Sequence, residues 1–236
     1  MTNINSELSE NIRLLIYGAA GVGKTHLLRD FPKPMHIFDF DQKLHPLHGV
    51  EGVSKTSYAL EEATDAKSLF AKFWKDYKQI KSQDDIATIV IDSATSMSTI
   101  LQFAKMMQSN KPPTAACTQA IYGDIKNWYK TFFHSLKSAH GKIVVMTAHE
   151  DYVIEDESKI HSIRPNLIGS IKTDVSSIFT DTLYLDLEVK AKEGAVRTLH
   201  FTKYKKHIAS SVMFELEPLV NPTYATLLKH RRIYGK

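Results

Sequence analysis

The stretch Gly18-Ala19-Ala20-Gly21-Val22-Gly23-Lys24-Thr25 carries glycine, lysine and a hydroxyl residue at the spacing GxxxxGK[ST]. Such a loop can wrap backbone N–H groups around a phosphate chain at the start of a helix. In that arrangement Lys24 reaches the β and γ phosphates, Thr25 holds Mg²⁺, and His26 follows at the nucleotide's edge. An incidental tight turn is the plain alternative, and the strand–turn–helix context weighs against it. Asp39 and Asp41 sit one residue apart, so an extended chain turns both to the same side. At the carboxyl end of a strand they can face a phosphate site. Asp41 is the better candidate for positioning water or accepting its proton, with Asp39 contacting metal-bound water. Strand-end solvation explains both acids equally simply, and two carboxylates so close give no unique base. Asp92 closes the apolar run Ile86–Ile91 and is the expected magnesium-side acid, with Ser93 supporting it. His149 ends a further apolar run, where it can touch a γ-phosphate, orient a neighbouring acid, or simply cap the strand. Thr147 is a secondary candidate there. Lys203, Lys205, Lys206 and His207 form a cationic run with no acid between residues 195 and 214. It suits DNA phosphate or a nucleotide held by another subunit, or it is only a solvated face.

These residues need elements to hold them. Ile12–Tyr17 reads as an interior strand running into the glycine loop. The helix opened at Gly23 is short, because Asp30-Phe31-Pro32-Lys33-Pro34 stops it. Met35–Phe40 is a second buried strand. Residues 43–63 read as a loop, with Pro46, Gly49 and Gly52; His45 and His48 within it have no third ligand nearby. A helix begins at Asp65, and its Phe70, Phe73, Trp74 and Tyr77 suit packing against a sheet better than stacking on a base. Ile86–Ser93 is a third strand and Ala94–Gln108 a helix. Thr118–Ser138 is a longer helix, with an interruption expected near Gly123. Lys142–His149 is a fourth core strand. Tyr152–Ile154 and Lys159–Ile163 can pair as a short hairpin, and a short helix is expected around Ile168–Ile178. Thr182–Val189 and Ala195–Thr202 read as an antiparallel pair. Pro222–Arg232 suits a terminal helix, with Lys229, Arg231, Arg232 and Lys236 as a basic tail.

A chain of 236 residues suits one large domain with small appendages. A net charge of +4 permits a polyanionic partner without establishing one. The single cysteine, Cys117, excludes an intrachain disulfide and a thiolate metal cluster. There is no 18-residue apolar run and no signal-peptide core, so no membrane association and a cytoplasmic location are expected.

In their order, these landmarks resemble the RecA-like core ATPases, and more narrowly the reduced, phage-type single-strand annealing ATPases of that class. The resemblance rests on Leu14–Thr25, Phe31–Pro34, Ile37–Asp41, Ile89–Ser93, the aromatic helix near Trp128, and Val144–His149. It implies an α/β P-loop NTPase with a RecA-like three-layer fold, a largely parallel central sheet and a late antiparallel hairpin. The core would span 11–215, with a flexible arm at 1–10 and an extension with a basic helix at 216–236. It implies ATP and Mg²⁺, Asp41 where relatives place a catalytic glutamate, and His149 as the γ-phosphate sensor. It further implies DNA-facing segments at 109–118 and 150–166, the latter carrying five acids that oppose phosphate gripping. Lys205 and Lys206, or alternatively Lys203, would act in trans at a subunit interface. Partners would be single-stranded DNA, further copies of the chain in an oligomer or filament, and a single-strand-binding protein, in a bacterial host cell if phage-encoded. A small-molecule P-loop kinase and a nucleotide-dependent replication loader or adaptor are the competing readings.

Overall fold

The structure is a computed structural model that describes residues 12–61, 65–155, 159–168, 179–191 and 194–232. The expected arm at 1–10, most of the expected helix at 168–178, and Lys236 lie outside the described residues.

One mixed sheet organises the chain. Six strands run parallel in the order β3 (Val53–Ser57), β2 (Met35–Asp39), β4 (Thr88–Asp92), β5 (Ile143–Ala148), β1 (Arg13–Tyr17) and β8 (Asp181–Lys190). β9 (Gly194–His200) then pairs antiparallel with β8, and the short β11 (Leu219–Val220) antiparallel with β9. A two-residue strand β10 (Ser210–Ser211) also pairs with β8. The mostly parallel sheet and its late antiparallel hairpin match the architecture expected from the sequence.

Alternation along each central strand divides the core in two. Leu15 and Tyr17 of β1 face one cluster, with Phe38, Ile89, Ile91 and Met146. Leu14 and Ile16 face the other, with Ile37, Val90, Val145 and Leu183. A sheet covered on both faces needs apolar residues at successive positions, and β1, β2, β4 and β5 supply them. The first face is covered by α2 (Ala66–Lys81), α3 (Ala94–Gln108) and α4 (Gln119–Lys137). The aromatics of α2 pack as expected: Phe73 is fully buried, its ring 5.4 Å from Phe38 and 5.8 Å from Phe132 of α4. The second face is covered by the short α1 (Lys24–Leu27), two 3₁₀ turns and α5 (Tyr224–Lys229), whose Leu227 is buried.

Two expectations need correction. Residues 43–63 are not all loop, because Val53–Ser57 forms edge strand β3, paired in parallel with β2. Its Val-Ser-Lys-Thr-Ser sequence is mostly exposed, so it lacks the apolar run that marks an interior strand. The helix near Gly123 is also unbroken, running from Gln119 to Lys137. A Cβ added at Gly123 would meet nothing within 4 Å, so the glycine lowers helix propensity there without serving a close contact. The expected hairpin is present as β6 (Glu150–Glu155) paired antiparallel with β7 (Lys159–Pro165).

Candidate functional site

The carboxyl ends of β1, β2, β4 and β5 lie along one edge of the sheet, where α/β folds collect ligands. The glycine loop leaves β1, Asp39 ends β2, Asp92 ends β4 and His149 follows β5. Strand register places Asp39 opposite Asp92, and Ile91 opposite Met146, so Asp92 and Thr147 emerge as neighbours. A cleft of about 190 Å³ opens at this edge, lined by Gly21, Gly23, Lys24, Thr25, His26, Asp41, Asp92 and His149 among others. Residues separated by over a hundred positions therefore share one site.

The loop is held closely from behind. A Cβ on Gly18 would lie 2.4 Å from the Leu185 carbonyl oxygen of β8, so no side chain fits there. Gly23 sits at φ 99, the left-handed region, and leads directly into α1. Lys24 is buried, and its Nζ donates to the carbonyls of Gly18 and Ala19 at 2.9 Å each. Burial lowers the Lys24 pKa, against the opposing pull of Asp92, Asp41 and Glu150. An ammonium so placed is desolvated and faces carboxylates across the cleft.

Asp92 is 3% exposed. Burial pushes its carboxyl pKa up, and nearby Asp41 and Asp39 push the same way; hydrogen bonds from Thr147 and Thr25 oppose them. The Thr25 hydroxyl donates to one Asp92 oxygen at 2.8 Å and the Thr147 hydroxyl to the other at 2.5 Å. Threonine hydroxyl and buried carboxylate form a pair of hard oxygen donors, which suits Mg²⁺. Among the described residues no three His, Cys, Asp or Glu side chains are placed to hold one metal ion between them.

Asp41 stands on the far side of the cleft. Its Oδ1 accepts from the Ser93 hydroxyl at 2.9 Å and from the Ser96 hydroxyl, and its Oδ2 lies 3.1 Å from His149 Nε2. Burial raises the Asp41 carboxyl, but the hydrogen bonds from His149, Ser96 and Ser93 outweigh it and bring the pKa down to about 2. Because a carboxylate only accepts, the shared proton belongs on His149 Nε2. The His149 backbone is fixed as well: its N–H donates to Thr95 Oγ1, and its carbonyl accepts from Asn166.

Not every expected residue joins the cleft. Asp39 is fully buried and turned toward the β2–β3 edge, accepting from the Gln42 N–H at 2.7 Å and the Ser57 hydroxyl at 3.3 Å, with Lys55 Nζ at 3.6 Å. Lys205, at φ 52, lies over the Tyr204 ring, and Lys206 Nζ donates to the Ile160 carbonyl at 2.5 Å. Neither lysine lines the cleft of its own chain.

Sequence reasoning missed Ser96 and Thr95. Ser93 is the N-cap of α3, accepting from the Ser96 N–H while donating to Asp41. A serine at the cap predicts its N3 residue one turn on, so Ser96 was within reach of capping arithmetic. Thr95 had no such signal, since its role depends on β5 lying beside β4.

No curated protein matches this chain. Among solved structures, a crystal structure of the RadB recombinase aligns over 86% of this chain and 87% of its own, with 12% identity and a TM-score of 0.46. The family model described as an AAA domain, AAA_24, matches residues 10–211, which includes the glycine loop, both strand-end acids and His149. The chain therefore belongs to the AAA_24 family of AAA domains and is a P-loop NTPase.

Proposed function

We propose that the chain is a Mg²⁺-dependent ATP hydrolase that works as an oligomer on single-stranded DNA, in annealing or strand exchange. The observation that carries the hydrolytic part is the convergence of Lys24, Thr25, Asp92, Asp41 and His149 on one cleft. The loop N–H groups and Lys24 bind the phosphate chain. Thr25 and Asp92 would hold Mg²⁺, which would supply charge neutralisation to the phosphate chain. Thr147 keeps Asp92 aimed at that position.

Hydrolysis needs a water placed in line with the γ-phosphate. A carboxylate with a pKa near 2 is a weak base, so Asp41 contributes chiefly as an acceptor that orients its neighbours. It fixes His149 with Nε2–H turned inward. His149 Nδ1 is then the ring atom left for the reaction: it accepts from water in the neutral ring, and as Nδ1–H of the imidazolium it donates to a γ-phosphate oxygen. His149 thus keeps the γ-phosphate contact expected for it, and Asp41 positions His149 rather than the water itself.

Support for DNA coupling comes from the chain just beyond His149. The β6–β7 hairpin begins at the next residue and exposes Tyr152 and Ile154. An aromatic and an aliphatic side chain on an exposed hairpin suit stacking with unpaired bases. The cationic loop is bound to the same hairpin, through Ile163 N–H to the Lys206 carbonyl and Ile208 N–H to the Ile163 carbonyl. Lys205 and Lys206 would complete a neighbouring subunit's site from there.

Phosphate release from ATP, with Mg²⁺ and with chelator, tests the hydrolytic reading. Release that needs Mg²⁺ and is lost in Asp92→Ala supports it. Transfer of the phosphoryl group to an added nucleoside monophosphate, with no release to water, would replace it with a kinase.

A further inference from the structure

We propose that Arg197, in β9, is a positioning residue for nucleotide binding that aims the Gly23 N–H into the cleft. This rests on the ATP-binding reading and adds a residue from the opposite end of the chain.

The Arg197 Nε donates to the Val22 carbonyl at 2.9 Å, across 175 positions of sequence. Val22 and Gly23 share one peptide plane, and that peptide is trans. In a trans peptide the carbonyl and the N–H point in opposite directions. Anchoring the Val22 oxygen on the outer side therefore turns the Gly23 N–H inward, and Gly23 lines the cleft. A phosphate-binding loop depends on that convergence of N–H groups.

The contact is close enough to be specific. A Cβ on Gly23 would lie 2.4 Å from Arg197 Nε and 3.1 Å from its Cζ. Glycine at position 23 is required by its φ of 99, and a side chain there would also push the guanidinium off the Val22 carbonyl. Arg197 is itself held at both backbone groups. Its N–H donates to the Asn221 side-chain oxygen at 3.2 Å, and its carbonyl accepts from the Asn221 N–H at 2.7 Å. Asn221 follows β11, so the last antiparallel strands of the sheet serve as the mount for this arginine.

Lys24 and Arg197 divide the work. Lys24 holds the Gly18 and Ala19 carbonyls from the cleft side, and a Lys24 that turns to phosphate releases both. Arg197 acts from behind, where phosphate does not compete for it. It therefore keeps the second half of the loop in shape while the first half loses its restraint.

Arg197→Met keeps the aliphatic stem and removes the donor, while Arg197→Lys keeps a charged donor without the planar fork. Binding of a fluorescent ATP analogue, KM and kcat for phosphate release, and the melting midpoint are measured for both, with wild type and Lys24→Ala beside them. Loss of one charge-assisted hydrogen bond predicts a roughly tenfold rise in Kd and KM for Arg197→Met, with kcat within about threefold of wild type. Arg197→Lys should recover part of that affinity. A lowered melting midpoint with unchanged Kd and KM in the folded variants would overturn the proposal, leaving Arg197 as a structural contact only. Should Arg197→Met not fold, Arg197→Leu, which also lacks a donor, takes its place, and an unchanged Kd and KM there overturn the proposal equally. If wild type binds no ATP analogue, the nucleotide reading itself fails; if wild type binds, Lys24→Ala does not, and Arg197→Met matches wild type, only this inference fails.

Discussion

Asp41 and His149 form the least ordinary pair in the cleft. Donors from Ser93, Ser96 and His149 surround one carboxylate whose pKa sits near 2. A folded-state pKa below the usual carboxylate value near 4 adds stability that is complete above that value. The contribution is lost as pH falls through about 2. Urea midpoints measured from pH 7 to pH 2 should therefore show a loss below about pH 4 that Asp41→Asn makes shallower. An identical acid slope in the variant would show that the hydrogen bonds do not hold the charged form. The glycine loop, Thr25 and Asp92 were legible in the sequence because their geometry depends on a few consecutive residues after a strand. Ser93 was legible as a support for the same reason. Arg197 was not, because nothing near position 197 states that β9 will lie behind the loop. Spacing put Asp39 and Asp41 on one side, with Asp41 favoured for water and Asp39 for metal-bound water; that Asp39 turns instead to Lys55 and Ser57 depends on the edge strand β3, which the sequence did not mark.

The β6–β7 hairpin and the Lys203–His207 loop are joined to the site by identifiable bonds. Tyr17, at the end of β1, donates from its hydroxyl to the Ile208 carbonyl at 2.7 Å and to the Ile163 carbonyl at 3.2 Å. His207 Nε2 lies 3.4 Å from the half-buried Glu150, the residue after His149. A partner bound on the hairpin would thus be mechanically close to His149, the residue proposed to meet the γ-phosphate. Removing the stacking surface by Tyr152→Ala should weaken single-stranded DNA binding about tenfold, read by fluorescence anisotropy, with ATP affinity unchanged. Neutralising Lys205 and Lys206 together should lower DNA-stimulated turnover by about tenfold or more, with nucleotide affinity within about twofold. Unaltered stimulated turnover in that double variant would remove the trans role. Strands and helices with a strong apolar period were legible: α2, α3 and α4 fall within a residue or two of the expected spans. The edge strand β3 was not, because an edge faces water and needs no apolar run.

For the chain as a whole, two cores on opposite faces of one sheet fix the strand ends that carry the site. Phe73 joins helix, sheet and the neighbouring helix through rings of Phe38, Phe40 and Phe132. Phe73→Ala should destabilise the fold by about 3–5 kcal/mol, read from the denaturant midpoint, with the m-value unchanged. An effect under about 1 kcal/mol would mean that the site can collapse around the cavity. The family rests on the match over residues 10–211 and the P-loop reading on the loop and its sheet edge, whereas the proposed coupling to DNA rests on the hairpin beyond His149. The direct test of that coupling is inorganic phosphate release from ATP and Mg²⁺, with and without single-stranded DNA, in wild type and Lys24→Ala. Release by wild type should rise several-fold on adding DNA and be absent in Lys24→Ala. Wild-type release that is indifferent to single-stranded DNA, or equal release by Lys24→Ala, would contradict a DNA-coupled ATPase.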